Sequence, residues 1–144
     1  MPNASTSFFG WVAFLLQKYG MLFLRGTGMT LLIALTGTAL GFALGLLVAI
    51  IRTIALPEKK KAGSNAGVIV KRGLLRFVHM LMNVYIQVFR GTPMIVQAVV
   101  IYYGAQYAGV FMDTTFAAVF IISINTGAYM AEIIRGGIVS VDKG

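Results

Sequence analysis

The sequence contains no cysteine, a single histidine and only four acidic residues among 144. Without cysteine, a disulfide framework, a thiol nucleophile and a cysteine-based metal site are all excluded. Glu58, Asp113, Glu132 and Asp142 lie in four different regions, so no pair of carboxylates is available for acid–base chemistry. His79 has no second His or Cys at ligand spacing, which favours a polar contact over a metal ligand. We therefore predict no catalytic residue, no metal site and no cofactor.

Charge is scarce as well, at 11% of residues, whereas 58% are hydrophobic and the mean hydropathy is +0.86. Soluble domains are about a quarter charged. Residues 29–51 carry no charge and residues 114–134 carry one charge, Glu132, while residues 77–103 are mostly apolar but interrupted by Arg90 and Pro93. Each stretch reaches the roughly 20 residues that a membrane-crossing helix needs, and none alternates as a barrel strand would. The predicted fold class is an all-α integral membrane protein, an antiparallel bundle with these three transmembrane helices.

The first predicted span is preceded by an apolar segment, residues 8–24, which Gln17, Lys18 and Gly20 interrupt. We predict an interfacial helix there, lying at the outer membrane surface, with an imperfect fourth span as the alternative. Seven of the 12 basic residues lie within 52–76, which predicts a basic cytoplasmic loop and an N-terminus outside the cell. This distribution favours a membrane topology signal over binding of nucleic acid.

Polar residues recur inside the second and third predicted spans at helical spacing. They are Asn83, Gln87, Arg90 and Gln97 in the second span, and Asn125, Tyr129 and Glu132 in the third. Each set falls near one helix face, turned away from lipid. Two interpretations stay open: the residues line a pathway, or they join helices by hydrogen bonds. Glu132 and Arg135 are three residues apart and can pair with each other.

Glycines occur every fourth residue in the first span, at Gly37, Gly41 and Gly45. This spacing predicts a bare strip against which another helix packs closely, although glycine is common in membrane helices in general. No phosphate-binding loop is present, because neither GTG at 26–28 nor GSNAGVIVK has the required spacing.

The segment around Arg90 combines a charge with a helix breaker. Pro93 lacks a backbone donor and Gly91 loosens the helix, so a kink is expected. A kinked polar segment at membrane depth must face protein or water. Since three spans do not readily enclose a polar interior, the sequence predicts partner helices.

The segments YIQVFRGTPMIVQAVVIYYG and NTGAYMAEIIRGGIVSVDKG resemble the membrane-spanning permease subunits of polar amino-acid ABC importers, of the histidine, glutamine and arginine type. The likeness covers about residues 20–144. The family pattern falls on Arg90, Gly91, Thr92 and Pro93, and on Glu132, Arg135, Gly136 and Gly137. The resemblance implies a bacterial inner-membrane protein in which residues 1–144 are the N-terminal portion of one permease domain. It also implies a second permease (identical or different), a cytoplasmic ATPase pair that hydrolyses ATP, and an external amino-acid-binding protein.

The chain departs from that family after SVDKG, where family members continue into a loop with a Glu-Ala-Ala helix that docks on the ATPase. The expectation is therefore either a fragment or a naturally truncated protein. The main rival hypothesis is a small membrane protein that only associates with other helices through the glycine strip. A half of a secondary transporter is a second rival, and a membrane enzyme is a distant third.

Overall fold

A computed structural model of the chain describes residues 7–54 and 66–141. These residues form four helices: α1 (Phe8–Thr53), α2 (Ala66–Gly91), α3 (Met94–Tyr107) and α4 (Thr114–Ser140). By length and composition α1 and α4 can cross a membrane, and the bent pair α2–α3 makes a third span if it is counted as one. The all-helical membrane fold class is confirmed.

Helix α1 is one continuous helix of 46 residues, about 69 Å long at 1.5 Å per residue. The prediction of a separate helix over 8–24 is wrong, because these residues are the first part of α1. Gln17 and Lys18 are good helix formers, and Gly20 costs only about 1 kcal/mol relative to alanine. The sequence has no proline between Pro2 and Pro57 that would end the helix. The buried residues of α1 begin only at Gly37.

Helices α1 and α4 pack closely and run parallel. A β-carbon added at Gly37 would lie 2.7 Å from Ile122 Cγ2, one at Gly41 would lie 2.6 Å from Thr126 Cβ, and one at Gly45 would lie 2.5 Å from Met130 Cβ. Both series rise by four residues, so the two helices keep one register and point the same way. The predicted glycine strip thus lies against α4 of the same chain.

Helices occupy both ends of the segment 52–76, which the sequence predicted to be a loop. Arg52 belongs to the last turn of α1, and residues 66–76 are the first turns of α2, because the segment VIVKRGLLRF contains no helix breaker stronger than one glycine. Lys59, Lys60 and Lys61 lie outside the described residues.

The predicted kinked helix at 77–103 is two helices instead. Helix α2 ends at Gly91, α3 begins at Met94, and the chain bends by 111° between them. Pro93 cannot donate a backbone hydrogen bond, and glycine at position 91 is conformationally permissive, so this segment favours a break in the helix.

The second helix joins the α1–α4 pair through a small apolar cluster and two polar contacts. Val48, Ile86 and Ala131 form the buried centre of this cluster. The Tyr85 hydroxyl donates to the Ile124 carbonyl at 2.6 Å, and His79 Nε2 lies 3.0 Å from the Ile51 carbonyl. His79 therefore makes an interhelical polar contact, as the sequence favours.

The third helix reaches α4 through a short link that contains Gly109, whose φ of +82° is the left-handed conformation that suits glycine. At the end of this link Asp113 caps α4, with its carboxylate accepting from the N–H groups of Thr115 and Phe116 at 2.8 and 3.2 Å. These hydrogen bonds, the one from Phe116 first, lower the pKa of Asp113.

Candidate functional site

A cavity of about 480 Å³ opens where the ends of α1 and α2 meet the second half of α4. Its wall combines charged, amide and aromatic side chains from three helices: Arg52 from α1, Asn83, Ile86, Gln87 and Arg90 with Gly91 from α2, and Tyr129 and Glu132 from α4. The residues of α2 share a wall because spacings of four and three return to the same helix face. The candidate residues Asn83, Gln87 and Tyr129 therefore lie together with the two charged motif residues, Arg90 and Glu132.

Arg90 faces the aromatic ring of Tyr129 across this cavity. The guanidinium carbon lies 5.5 Å from the ring centroid, which is the range of a cation–π contact. Arg90 is exposed, and within the described part of the chain no carboxylate forms an ion pair with it. The guanidinium donors of Arg90 are thus directed towards an open polar space instead of a neighbouring acid.

Glu132 is an acid in the wall of this cavity, and two arginines pair with it. Arg52 Nη1 forms a short ion pair with Glu132 Oε1, and Arg135 Nη2 lies 3.5 Å from Glu132 Oε2. The Arg52 and Glu132 side chains are 15% and 24% exposed, so this pair is largely withdrawn from solvent. The pairing between Glu132 and Arg135 that the sequence allows is therefore present, but it is secondary to the contact with Arg52.

The remaining two polar candidates, Gln97 and Asn125, do not line this cavity. Gln97 is 7% exposed, and its amide nitrogen donates to the carbonyls of Phe89 and Thr92, both at 2.9 Å, and to the Thr92 hydroxyl at 2.8 Å. Asn125 Nδ2 donates to Gln97 Oε1 at 3.0 Å and lies 3.3 Å from the Phe89 carbonyl. These two residues join helices, whereas Asn83, Gln87 and Tyr129 face the open space.

The motif residues divide in the same way. Arg90 and Gly91 border the cavity, whereas Thr92 and Pro93 form the break, with the Thr92 hydroxyl donating to the Val88 carbonyl at 2.8 Å. Gly136 and Gly137 are exposed, and a β-carbon at either would meet nothing within 4 Å. The open surface beside these glycines leaves room for a partner chain.

Sequence reasoning missed Arg52 as a site residue, because it was counted in the basic loop. The sequence feature that could have predicted its partly buried position is that Arg52 follows a long uncharged segment and lies one helical turn after Val48. No group of three or more His, Asp and Glu residues that could hold a metal ion occurs within residues 7–54 and 66–141.

Residues 63–144 match a protein family described as binding-protein-dependent transport system inner membrane component. The glutamine transport system permease protein GlnP of Escherichia coli (strain K12) is 38% identical over 125 residues, which are 85% of this chain and 48% of the relative. The arginine transport system permease protein ArtQ of Bacillus subtilis (strain 168) is 48% identical over 61 residues, 42% of this chain and 28% of that protein.

A solved structure gives the same result for the fold. The crystal structure of an amino acid ABC transporter with histidines superposes with a TM-score of 0.72 at 30% sequence identity, covering 96% of this chain and 53% of the matched one. The chain thus spans about half the length of the relatives that it matches.

Proposed function

Because the chain belongs to the family of binding-protein-dependent inner-membrane transport components, as a permease of the polar amino-acid ABC type, we propose that it forms part of a translocation pathway for a polar amino acid. The family is described as an inner-membrane component of transport systems, and the described residues of this chain form two helices, or three spans with the bent pair, that can cross a membrane. In the proposed function an external binding protein delivers the amino acid, and ATPases on other chains supply the energy.

The observation that carries this proposal is the polar cavity at the α2–α3 break. A charged group at membrane depth is costly unless it faces water or a polar partner. Among the described residues of its own chain, Arg90 contacts the aromatic face of Tyr129, and it also lines the open cavity. A guanidinium with free donors can bind the carboxylate that every amino acid carries. Asn83 and Gln87 offer amides for a polar side chain beside it.

The cavity is open on one side, which supports the need for a second permease subunit. Three helices of this chain supply its wall, and no described residue covers the remaining side. We infer that a second permease, identical or different, faces this opening. A cytoplasmic ATPase pair would then bind at the membrane side where the chain is most basic.

The proposed orientation puts the N-terminus outside and the basic segment between α1 and α2 inside. The parallel packing of α1 and α4 supports an odd number of crossings between them, since both helices point the same way. With α2–α3 as one return crossing, α1 and α4 both run from outside to inside.

The rival function, a small protein that associates only through its glycine strip, loses its main support. Gly37, Gly41 and Gly45 are buried against α4 of the same chain, so the strip is not free for another protein.

The test of the proposed function is uptake of radiolabelled glutamine by the assembled transporter, with arginine as the second solute. Replacing Arg90→Leu should lower uptake by about tenfold or more, the loss expected for one charge-assisted hydrogen bond. The matched control is Arg76→Leu, an exposed arginine on the same helix outside the cavity. Membrane insertion of both variants is measured by extraction and blotting. Uptake at the wild-type level in Arg90→Leu, or no amino-acid uptake by the unaltered transporter, would contradict the proposal.

A further inference from the structure

The break between α2 and α3 separates backbone carbonyls from their helical partners, among them those of Phe89 and Thr92. In an unbroken helix the Phe89 carbonyl accepts from the N–H of residue 93, but Pro93 has none. The Thr92 carbonyl would accept from the N–H of Val96, which instead donates to the Pro93 carbonyl at 3.0 Å. Away from water such orphan carbonyls are costly, so a substitute donor is needed.

One buried side chain donates to both carbonyls, and Asn125 Nδ2 is a second donor to the Phe89 carbonyl at 3.3 Å. Gln97 Nε2 donates to the Phe89 and Thr92 carbonyls at 2.9 Å each. Because Gln97 is only 7% exposed, water cannot readily take over these contacts. The amide oxygen of Gln97 in turn accepts from Asn125 on α4 at 3.0 Å. We call Gln97 and Asn125 together the amide clamp.

The amide clamp connects the break to the wall of the cavity. Phe89 directly precedes Arg90, and Asn125 lies one turn before Tyr129 on α4. The clamp therefore fixes the backbone beside Arg90 against the helix that carries its aromatic partner. We propose that Gln97 and Asn125 are positioning residues, which replace helical hydrogen bonds lost at the break and so hold the 111° bend with Arg90 facing Tyr129.

The first test measures the bend itself in the protein reconstituted in lipid nanodiscs. Since the sequence has no cysteine, spin labels can be attached at Phe77→Cys and Tyr107→Cys, both exposed. Each label lies roughly 20 Å from the break, so full straightening would lengthen their separation by on the order of 15 Å. We expect Gln97→Leu to shift and broaden the distance distribution, while Gln106→Leu, a glutamine at the far end of α3, leaves it unchanged.

A background variant tests the cause of that shift. Pro93→Ala returns a backbone N–H to the Phe89 carbonyl but leaves the Thr92 and Asn125 contacts of Gln97 in place, so adding Gln97→Leu to Pro93→Ala should produce a smaller shift than Gln97→Leu alone. An unchanged distribution in Gln97→Leu, or an equal additional shift in the Pro93→Ala background, would overturn the proposal.

The second test measures the placement of Arg90 against Tyr129. With cysteines at these two positions, a short bifunctional maleimide should cross-link the helices, and Gln97→Leu should slow the reaction by about threefold or more. A labelled pair at Leu35 and Phe120, exposed positions on the packed α1 and α4, reports whether the rest of the fold is intact. General unfolding would change both readouts, whereas loss of positioning changes only the first.

An unchanged cross-linking rate would overturn the proposal, as would a simultaneous change at the α1–α4 pair. If Gln97→Leu does not insert, Asn125→Leu provides the same measurements, since it removes the link to α4 while Gln97 still serves both carbonyls. Its expected effect is a smaller bend shift with a slowed cross-link, and no change in either would again refute the role. Neither test uses uptake, so their failure and the failure of the proposed function are distinguishable.

Discussion

The glycine strip of α1 provides the sharpest quantitative test of the fold. In Gly41→Ala the new β-carbon would lie 2.6 Å from Thr126 Cβ and 2.9 Å from the Ser123 carbonyl oxygen. Ordinary carbon contacts are about 3.5–4.0 Å, so the surfaces must separate by about 1 Å. The Thr126 β-carbon is attached directly to the α4 backbone and the Ser123 carbonyl oxygen belongs to it, so neither atom can move away without that backbone. The helices themselves must therefore move apart.

The cost of that movement follows from the packing it disturbs. A radial gap of 0.5–1 Å forfeits about a quarter to a half of each dispersion contact, and overpacking of this kind costs about 1–3 kcal/mol. Alanine in place of glycine recovers up to about 1 kcal/mol of helix propensity. We expect Gly41→Ala to lower the free energy of unfolding by about 1–2 kcal/mol.

The same helix contains its own control. A β-carbon at Gly26 would meet nothing within 4 Å, so Gly26→Ala gains helix propensity without a clash. Its expected effect is a stabilisation of up to about 1 kcal/mol, opposite in sign to Gly41→Ala. Reversible unfolding in mixed micelles with increasing SDS, followed by circular dichroism, measures both. Equal stability of the two variants would show that α1 and α4 do not pack through the strip.

Three further predictions concern the ends of the helices. Replacing either Arg52→Leu or Glu132→Gln should destabilise the protein, and a double-mutant cycle should give a coupling of about 1–3 kcal/mol; additive losses would rule out the ion pair. The hydrogen bonds that lower the pKa of Asp113 stabilise α4 above the ordinary aspartate pKa, and this contribution should disappear as pH falls through the lowered folded pKa. Asp113→Asn, which keeps the cap without titrating, should remove that pH dependence of unfolding, and a retained dependence would contradict it. In intact cells, a cysteine at Val110 should react with an impermeant maleimide while one at Ser64 is protected, and the reverse pattern would invert the topology.

Helical periodicity in the sequence predicts most of the polar residues that line the cavity. Asn83, Gln87 and Arg90 share one face of α2 because four- and three-residue steps are local properties of a helix. Tyr129 and Glu132 follow in the same way on α4. These groups were identifiable without any knowledge of how the helices pack.

The features that sequence reasoning could not supply depend on contacts between distant segments. Arg52 reaches Glu132 only because α1 and α4 run parallel in the register that the glycines set. Gln97 continues the spacing of the α2 face, yet the break redirects its amide to the Phe89 carbonyl of α2 and to the Thr92 carbonyl in the break. The size of the bend is likewise a tertiary property, since Pro93 predicts a missing hydrogen bond but not which side chain replaces it. For residues 8–24 the error was local. Gln17, Lys18 and Gly20 were expected to end a helix, although no proline interrupts the segment and α1 continues through it.

The contacts of α2 and α3 with α4 explain why a bent pair can act as one crossing. Along the chain from α2 to α3 the partners on α4 run backwards: Ile86 clusters with Ala131, Gln97 bonds Asn125, and the Tyr102 hydroxyl lies 3.4 Å from the Thr114 hydroxyl. The pair therefore follows α4 from its second half to its first residue, antiparallel to it, despite the change of direction at Pro93. The break lies opposite Asn125, close to the middle of α4. When α4 crosses a membrane, Arg90 must lie near mid-depth, where a lipid-facing guanidinium would cost about 3 kcal/mol or more. Since Tyr129 covers only one face of the guanidinium, the open side of the cavity is where water, solute or a partner subunit has to be.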